Sequence, residues 1–187
     1  VRKMLKKVKE EGDKAVRKYT RQLDGVKIKN PAVSPDELQE AASLISHELK
    51  AAIAIAAANI EKFHSAQLTT VQKITTMPGI SCWRRSSGIE KVGLYIPGGT
   101  APLFSTVLML AIPAKLAGCR EIILCSPPDK KGKIHPAILY TAAFCGVTRI
   151  FKTGGVQAIA AMAYGTDAIQ PVYKIFGPGN QYVTLAK

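Results

Sequence analysis

The sequence predicts an α/β protein: a helical amino-terminal arm followed by a parallel sheet with helices on both faces. Three observations carry that expectation. In the first third, apolar residues recur near helical spacing. From Val92 onward, four short apolar runs alternate with helix-length segments. Three of those runs end in a glycine-rich turn that leads directly into a helix. Uninterrupted apolar strands, rather than strands alternating with polar residues, are what a sheet covered on both faces requires.

The elements follow in order. Leu5, Val8, Ala15, Val16 and Tyr19 mark the first helical stretch, with Gly12 as an interior weak point. Gly25 and Pro31 punctuate a short linker. Ser34-Pro35-Asp36-Glu37 reads as a helix start, with Ser34 as N-cap, Pro35 in the first position and Glu37 completing a capping box. That helix is expected to run through Leu38, Ala41, Leu44, Ile45 and Leu49 into the alanine-rich run Ala51 to His64. So much alanine suggests close helix packing, within the chain or against another subunit. Residues 68–91 change character. Val71, Ile74, Met77-Pro78-Gly79, Cys82-Trp83-Arg84 and Gly88 suggest short extended segments and turns, and a domain boundary is placed near Glu90.

Val92 to Ile96 is then a buried strand, stopped by Pro97-Gly98-Gly99. Leu103 to Leu116 is a helix kinked late by Pro113. Glu121 to Cys125 is a second strand, stopped by Pro127-Pro128. The polar loop Asp129 to Lys133, a surface feature with no function argued for it, leads to a helix from Pro136 to Cys145 closed by Gly146. Arg149 to Lys152 is a third strand, Val156 to Tyr164 a helix, and Val172 to Phe176 a fourth strand ended by Gly177-Pro178-Gly179-Asn180. The first residue is Val, and Asn180 to Lys187 reads as a helix just begun, so both ends look cut.

Composition narrows the class. Hydrophobic residues make up 47% and charged residues 21% of the 187, enough for a folded core. No apolar run reaches the roughly 18 uncharged residues of a spanning helix, and no signal-peptide pattern opens the chain. The net charge of +13 invites a nucleic-acid reading. However, the eleven Lys and Arg within residues 1–29 are interleaved with Glu10, Glu11, Asp13 and Asp24, as on a solvated amphipathic helix. No nucleic acid and no membrane are therefore expected as partners. Cys119, Cys125 and Cys145 lie in apolar segments, and none of the four cysteines forms a CxxC pair. They read as small buried residues of a reducing compartment, with the cytoplasm as the default location.

The turns Pro97-Gly98-Gly99-Thr100, Gly154-Gly155-Val156-Gln157 and Gly177-Pro178-Gly179-Asn180 should cluster, because the carboxyl ends of parallel strands share one edge. Ligands of open α/β sheets bind in that crevice, where helix N-termini favour phosphate. None of the turns is GxGxxG. Taken singly, each glycine reads as a tight turn or packing site. Three such turns on one edge, each followed by a polar residue, point to an anionic or nucleotide ligand.

These residues also resemble a family. Val92 to Leu110 (VGLYIPGGTAPLFSTVLML), Gly154 to Ala161 (GGVQAIAA) and Lys174 to Asn180 (KIFGPGN) are similar to the signature segments of histidinol dehydrogenases. Glu11-Gly12-Asp13, Leu23-Asp24 and Asn59 to His64 of the arm fit as well, so the likeness spans the chain in order. The resemblance implies oxidation of L-histidinol to L-histidine through L-histidinaldehyde with two NAD and one zinc, in a homodimer. It implies residues 1–90 as a helical arm and the start of the first domain, and residues 91–187 as a Rossmann-like NAD-binding domain, incomplete at its carboxyl end. It assigns Tyr95, Gln157 and Asn180 to NAD. The family's Glu-His pair and zinc ligands lie downstream of the GPGN segment. The resemblance therefore places no catalytic and no metal residue in this chain, and implies that the chain alone is inactive. His47, His64 and His135 match none of those positions, and His64 and His135 read as surface or packing residues. The alternative is a nucleotide-binding α/β module without chemistry of its own.

Overall fold

The computed structural model describes residues 1–99 and 101–187. Thr100, expected to follow the first glycine turn as its polar residue, lies outside the described residues. The arm begins with α1 (Arg2–Glu11) and α2 (Asp13–Leu23), separated at Gly12, whose φ of 54° and ψ of −133° only glycine adopts freely. The weak point in the periodicity is thus a break between two helices. α3 (Pro35–Leu44) starts on the expected capping box: Glu37 N–H donates to Ser34 Oγ at 3.2 Å, and Ser34 N–H donates to the Glu37 carboxylate at 2.9 Å.

The helix expected to continue through His64 does not. Ile45 turns extended (φ −93°, ψ 129°), and Ser46 caps a new helix, α4 (His47–Ser65), by accepting from Leu49 N–H. The two helices meet at 106°. The apolar spacing runs on across the break because Ala41, Ile45, Ile53 and Ala57 are all buried, so periodicity could not register the second cap.

Residues 68–91 form the expected extended segment: an antiparallel hairpin of β1 (Lys73–Met77) and β2 (Ile80–Trp83) around Pro78-Gly79, with every residue exposed. The α/β part follows as β3 (Lys91–Tyr95), α5 (Phe104–Leu116), β4 (Glu121–Ser126), α6 (Pro136–Phe144), β5 (Arg149–Lys152), α7 (Gly155–Tyr164), β6 (Lys174–Phe176) and α8 (Gln181–Ala186). The last strand is shorter than expected. Val172 N–H donates to Met162 O at 2.8 Å, which ties the segment before the strand to the end of α7.

The sheet has the order β5-β4-β3-β6 and is parallel throughout. The chain steps outward from β3 to β4 to β5, then returns over β3 to β6. That reversal puts a topological switch point between the carboxyl ends of β3 and β6. Alternate strand residues enter opposite cores, as a period of two demands. Val92, Leu94, Ile122, Leu124 and Ile150 share one core with α3 to α6. Tyr95, Ile123, Cys125 and Phe151 share the other with α1, α2, α7 and α8. The arm helices form outer layers on both faces: α1 and α2 against α7, α3 against α6, and α4 against α5. Residues 31–33 close the β5 edge, where Val33 N–H donates to Ile150 O at 2.9 Å and Lys152 N–H to Pro31 O at 2.7 Å.

Cys125 and Cys145 are buried as expected, and burial pushes the Cys145 thiol up to about 11. Cys119 is only half-buried, and Cys82 stands exposed on the hairpin.

Candidate functional site

A cavity of about 1430 Å³ opens at the carboxyl ends of the sheet. It is larger than the roughly 300–1,000 Å³ of sites for drug-sized ligands. Tyr95, Ser126-Pro127, Gly155-Val156 and Pro178-Gly179-Asn180 reach it from the ends of β3, β4, β5 and β6. Gly98 and Gly99 line it as well, so the three glycine turns share one edge. Residues of the arm close one side, among them Met4, Leu23, Asp24, Glu37 and Leu44.

The glycines do different things. A methyl group on Gly98 would come within 2.6 Å of Pro127 Cγ, and one on Gly154 would collide with the same proline. Pro127 is therefore wedged between two turns that only glycine lets approach it. At Gly177 the φ of 139° lies outside the usual range of other residues, and a Cβ would strike the Tyr95 carbonyl oxygen. Gly99, by contrast, has nothing within 4 Å of where a Cβ would stand. Packing explains most of these glycines, and Gly99 leaves room for a ligand.

Tyr95 sits at the centre. Its side chain is buried, and its hydroxyl accepts a 3.0 Å hydrogen bond from Gly155 N–H, which joins the end of β3 to the start of α7. Burial pushes the phenol above its usual value; the Gly155 bond pulls the other way, and the Asp24 carboxyl adds to the rise. The phenol thus stays protonated at neutral pH and keeps its own O–H to donate.

Asn180 lines the cavity from the far side and is exposed. Its side-chain oxygen accepts from Tyr182 N–H and Val183 N–H, both at 3.1 Å, so it caps α8. The amide nitrogen remains as a donor. Gln157 is placed differently. It is fully buried, does not line the cavity, and both its amide atoms lack a hydrogen-bond partner among the described residues. Its oxygen lies against Gly155, where an added methyl would come within 2.9 Å. The structure therefore brings Tyr95 and Asn180 onto one cavity and sets Gln157 just behind the turn.

The helix starts are also unequal as anion sites. Asn180 occupies the first amides of α8, and His135 Nδ1 accepts from Ala137 N–H at the start of α6. No N-cap side chain occupies the start of α7, which lines the cavity through Gly155 and Val156, and there Gly155 N–H is held by the Tyr95 hydroxyl.

Sequence reasoning missed two participants. Pro127 reads only as a strand stop, because the turns it separates come from distant segments. Asp24 reads as one of the acids of a solvated helix, yet it lines the cavity, its Oδ2 is buried without a partner among the described residues, and burial raises its carboxyl to about 6. One signal was available: an acidic residue at a helix C-terminus sits at the wrong end of the helix dipole. Elsewhere, Glu37 at the start of α3 reaches Lys152 at the end of β5 at 2.9 Å. Burial opposes its charge, but the Ser34 N–H and Lys152 hold the carboxyl below its usual value. Among the described residues, no three His, Cys, Asp or Glu side chains gather as a metal site.

Comparison with known proteins agrees with this fold. The sequence model described as "Histidinol dehydrogenase" matches residues 1–187. A histidinol dehydrogenase of Bacteroides thetaiotaomicron is 64% identical over 187 residues, covering 100% of this chain and 44% of that protein. One from Xylella fastidiosa is 50% identical over 184 residues, covering 98% of this chain and 43% of that protein. The crystal structure of histidinol dehydrogenase from Elizabethkingia anophelis superposes with a TM-score of 0.97 at 54% identity, covering 99% of this chain and 43% of that one. The chain thus spans less than half the length of these relatives.

Proposed function

The chain belongs to the histidinol dehydrogenase family, and from that premise we propose that its strand-end crevice binds NAD for the oxidation of L-histidinol to L-histidine through L-histidinaldehyde. The observation that carries the proposal is the convergence of Tyr95, Gly99, Gly155 and Asn180 on one cavity at the switch point of a parallel sheet. The residues present fit a dinucleotide. Gly99 leaves the backbone open, the first turn of α7 offers amides to a pyrophosphate, and the buried Gln157 amide and one oxygen of the half-buried Asp24 lack partners among the described residues.

NAD, when bound, supplies the hydride acceptor. The chain's part is to bind and orient it. Tyr95 presents its O–H to the cavity's ligand, while its oxygen accepts from Gly155 N–H. Asn180 donates from its amide nitrogen while its oxygen holds α8. Gln157 sits one layer back, where a small shift of the Gly154-Gly155 turn would bring its amide to the ligand. The described residues offer zinc no fitting ligand set.

A homodimer and a cytoplasmic location go with this reading. Ile55, Phe63, Ile74, Ile80 and Trp83 stand exposed along α4 and the hairpin, a surface suited to a second copy. No single helix among the described residues is long and apolar enough to cross a membrane. The test is titration of the chain with NAD by calorimetry, alongside an assay for histidinol-dependent NADH formation. Saturable NAD binding without turnover by this chain alone is expected. Absence of NAD binding would refute the assignment of the crevice.

A further inference from the structure

Asp24 is a costly residue where it stands. It follows the last residue of α2 in a helical conformation (φ −95°, ψ −7°), so its charge adds to the negative end of that helix. Its Oδ2 is sealed from solvent and meets no donor among the described residues. Its carboxyl is raised to about 6 by burial. The neighbouring Tyr95 hydroxyl is engaged as an acceptor by Gly155 N–H and forms no hydrogen bond with Asp24. A half-buried carboxylate at the negative end of a helix, with one oxygen unpartnered among the described residues and the residue lining a cavity, points to a contact with what the cavity binds.

The cavity narrows the choice of ligand group. A carboxylate accepts hydrogen bonds and repels phosphate, so Asp24 does not face the pyrophosphate. The start of α7, which lines the cavity through Gly155 and Val156, is the better match for that. What remains of a dinucleotide with donors to offer is a sugar hydroxyl. Tyr95 and Asp24 both line the cavity, one from the sheet and one from the arm, so a sugar lying over Tyr95 comes within reach of the carboxylate.

We propose that Asp24 is a cofactor-contact residue of the crevice, whose carboxylate accepts a hydrogen bond from a ribose hydroxyl of the bound dinucleotide. This rests on the assignment of NAD to the crevice. The arm thereby does more than cover the sheet: it supplies one wall of the site and one polar contact.

The experiment compares the wild-type chain with Asp24→Asn and Asp24→Ala. The probes are NAD and two NAD analogues, each lacking the 2′-hydroxyl of one ribose or the other, titrated by calorimetry with melting temperatures measured in parallel. Both variants should weaken NAD binding by roughly tenfold or more, the range for a hydrogen bond to a charged group. One of the analogues should lose affinity for the wild type yet bind Asp24→Ala no more weakly than NAD does, because the contact it lacks is already gone. Ligand-free Asp24→Asn should melt at or above the wild-type temperature, since it removes a buried unpaired charge. NAD affinity unchanged in both variants would overturn the proposal, and so would additive losses with both analogues. Failure of the wild type itself to bind NAD would instead overturn the crevice assignment beneath it.

Discussion

The crevice has two unlike walls. The one built from the ends of β3, β4 and β5 is sealed: Phe151 and Tyr95 are buried, Pro127 is wedged between Gly98 and Gly154, and the Tyr95 hydroxyl is fixed on Gly155. The one built from β6 and α8 is open. Its strand is three residues long, Phe176 and Tyr182 are exposed, and its geometry rests on the Asn180 cap. The first wall draws its shape from long-range packing, the second from a local hydrogen-bonded turn. Changes on the sealed wall should therefore cost stability first, and changes on the open wall should cost ligand binding first.

The largest effect is expected from Phe151→Ala, which empties a fully buried site at the end of β5. A loss of about 3–5 kcal/mol is usual for such a truncation, read in urea unfolding. A loss below that of Asn180→Ala would erase the distinction between the walls. Next comes Tyr95→Phe, which leaves Gly155 N–H without its acceptor. An unpaired buried donor costs about 1–3 kcal/mol, and NAD affinity should fall with stability because the hydroxyl serves both. Intact stability with weakened NAD binding would move Tyr95 to the behaviour of the open wall.

Asn180→Ala removes a cap, for which about 1 kcal/mol is typical, and should raise the dissociation constant for NAD several-fold. Asn59→Ala, on the exposed face of α4, should change neither. A lowered melting temperature with unchanged NAD affinity would leave Asn180 as a cap and nothing more. The smallest effect concerns pH. The Asp24 carboxyl is raised from its ordinary 3.8 to about 6, so the folded state holds its proton longer than the unfolded chain does. Its contribution is favourable below 3.8 and is lost as pH rises through about 6. Partial exposure limits the change to on the order of 1 kcal/mol. The melting-temperature gap between wild type and Asp24→Asn should open across that interval, and a gap constant with pH would show the carboxyl to be unperturbed.

The same division explains what was legible in the sequence. Local chemistry was plain: the Ser34–Glu37 box, the break at Gly12 and the strand-ending turns each depend on a few consecutive residues. The second cap at Ser46 was hidden because both helices bury apolar residues at one continuous spacing. The strand order was not readable, since nothing in β6 names β3 as its partner. Tyr95 and Asn180 were found through their turns and the resemblance. Gln157 came with them, but its burial behind the Gly154-Gly155 turn depends on packing that no spacing reveals. Asp24 was passed over because its meaning comes from a helix end meeting a cavity wall built by residues 70 or more positions away.

The return of the chain over β3 also orders events in time. The β3–β4 and β4–β5 pairings close over single connecting helices, whereas the partner of Val92 on its other side is Lys174. Loop-closure entropy delays contacts so far apart in sequence until the intervening segments have become compact. Strands β4 and β5 should accordingly gain amide protection before β6 in pulse-labelled refolding, and simultaneous protection would contradict this. The crevice, which needs β3 and β6 side by side, is then the last part of the sheet to be assembled, and a newly folding chain acquires its core before it acquires its site.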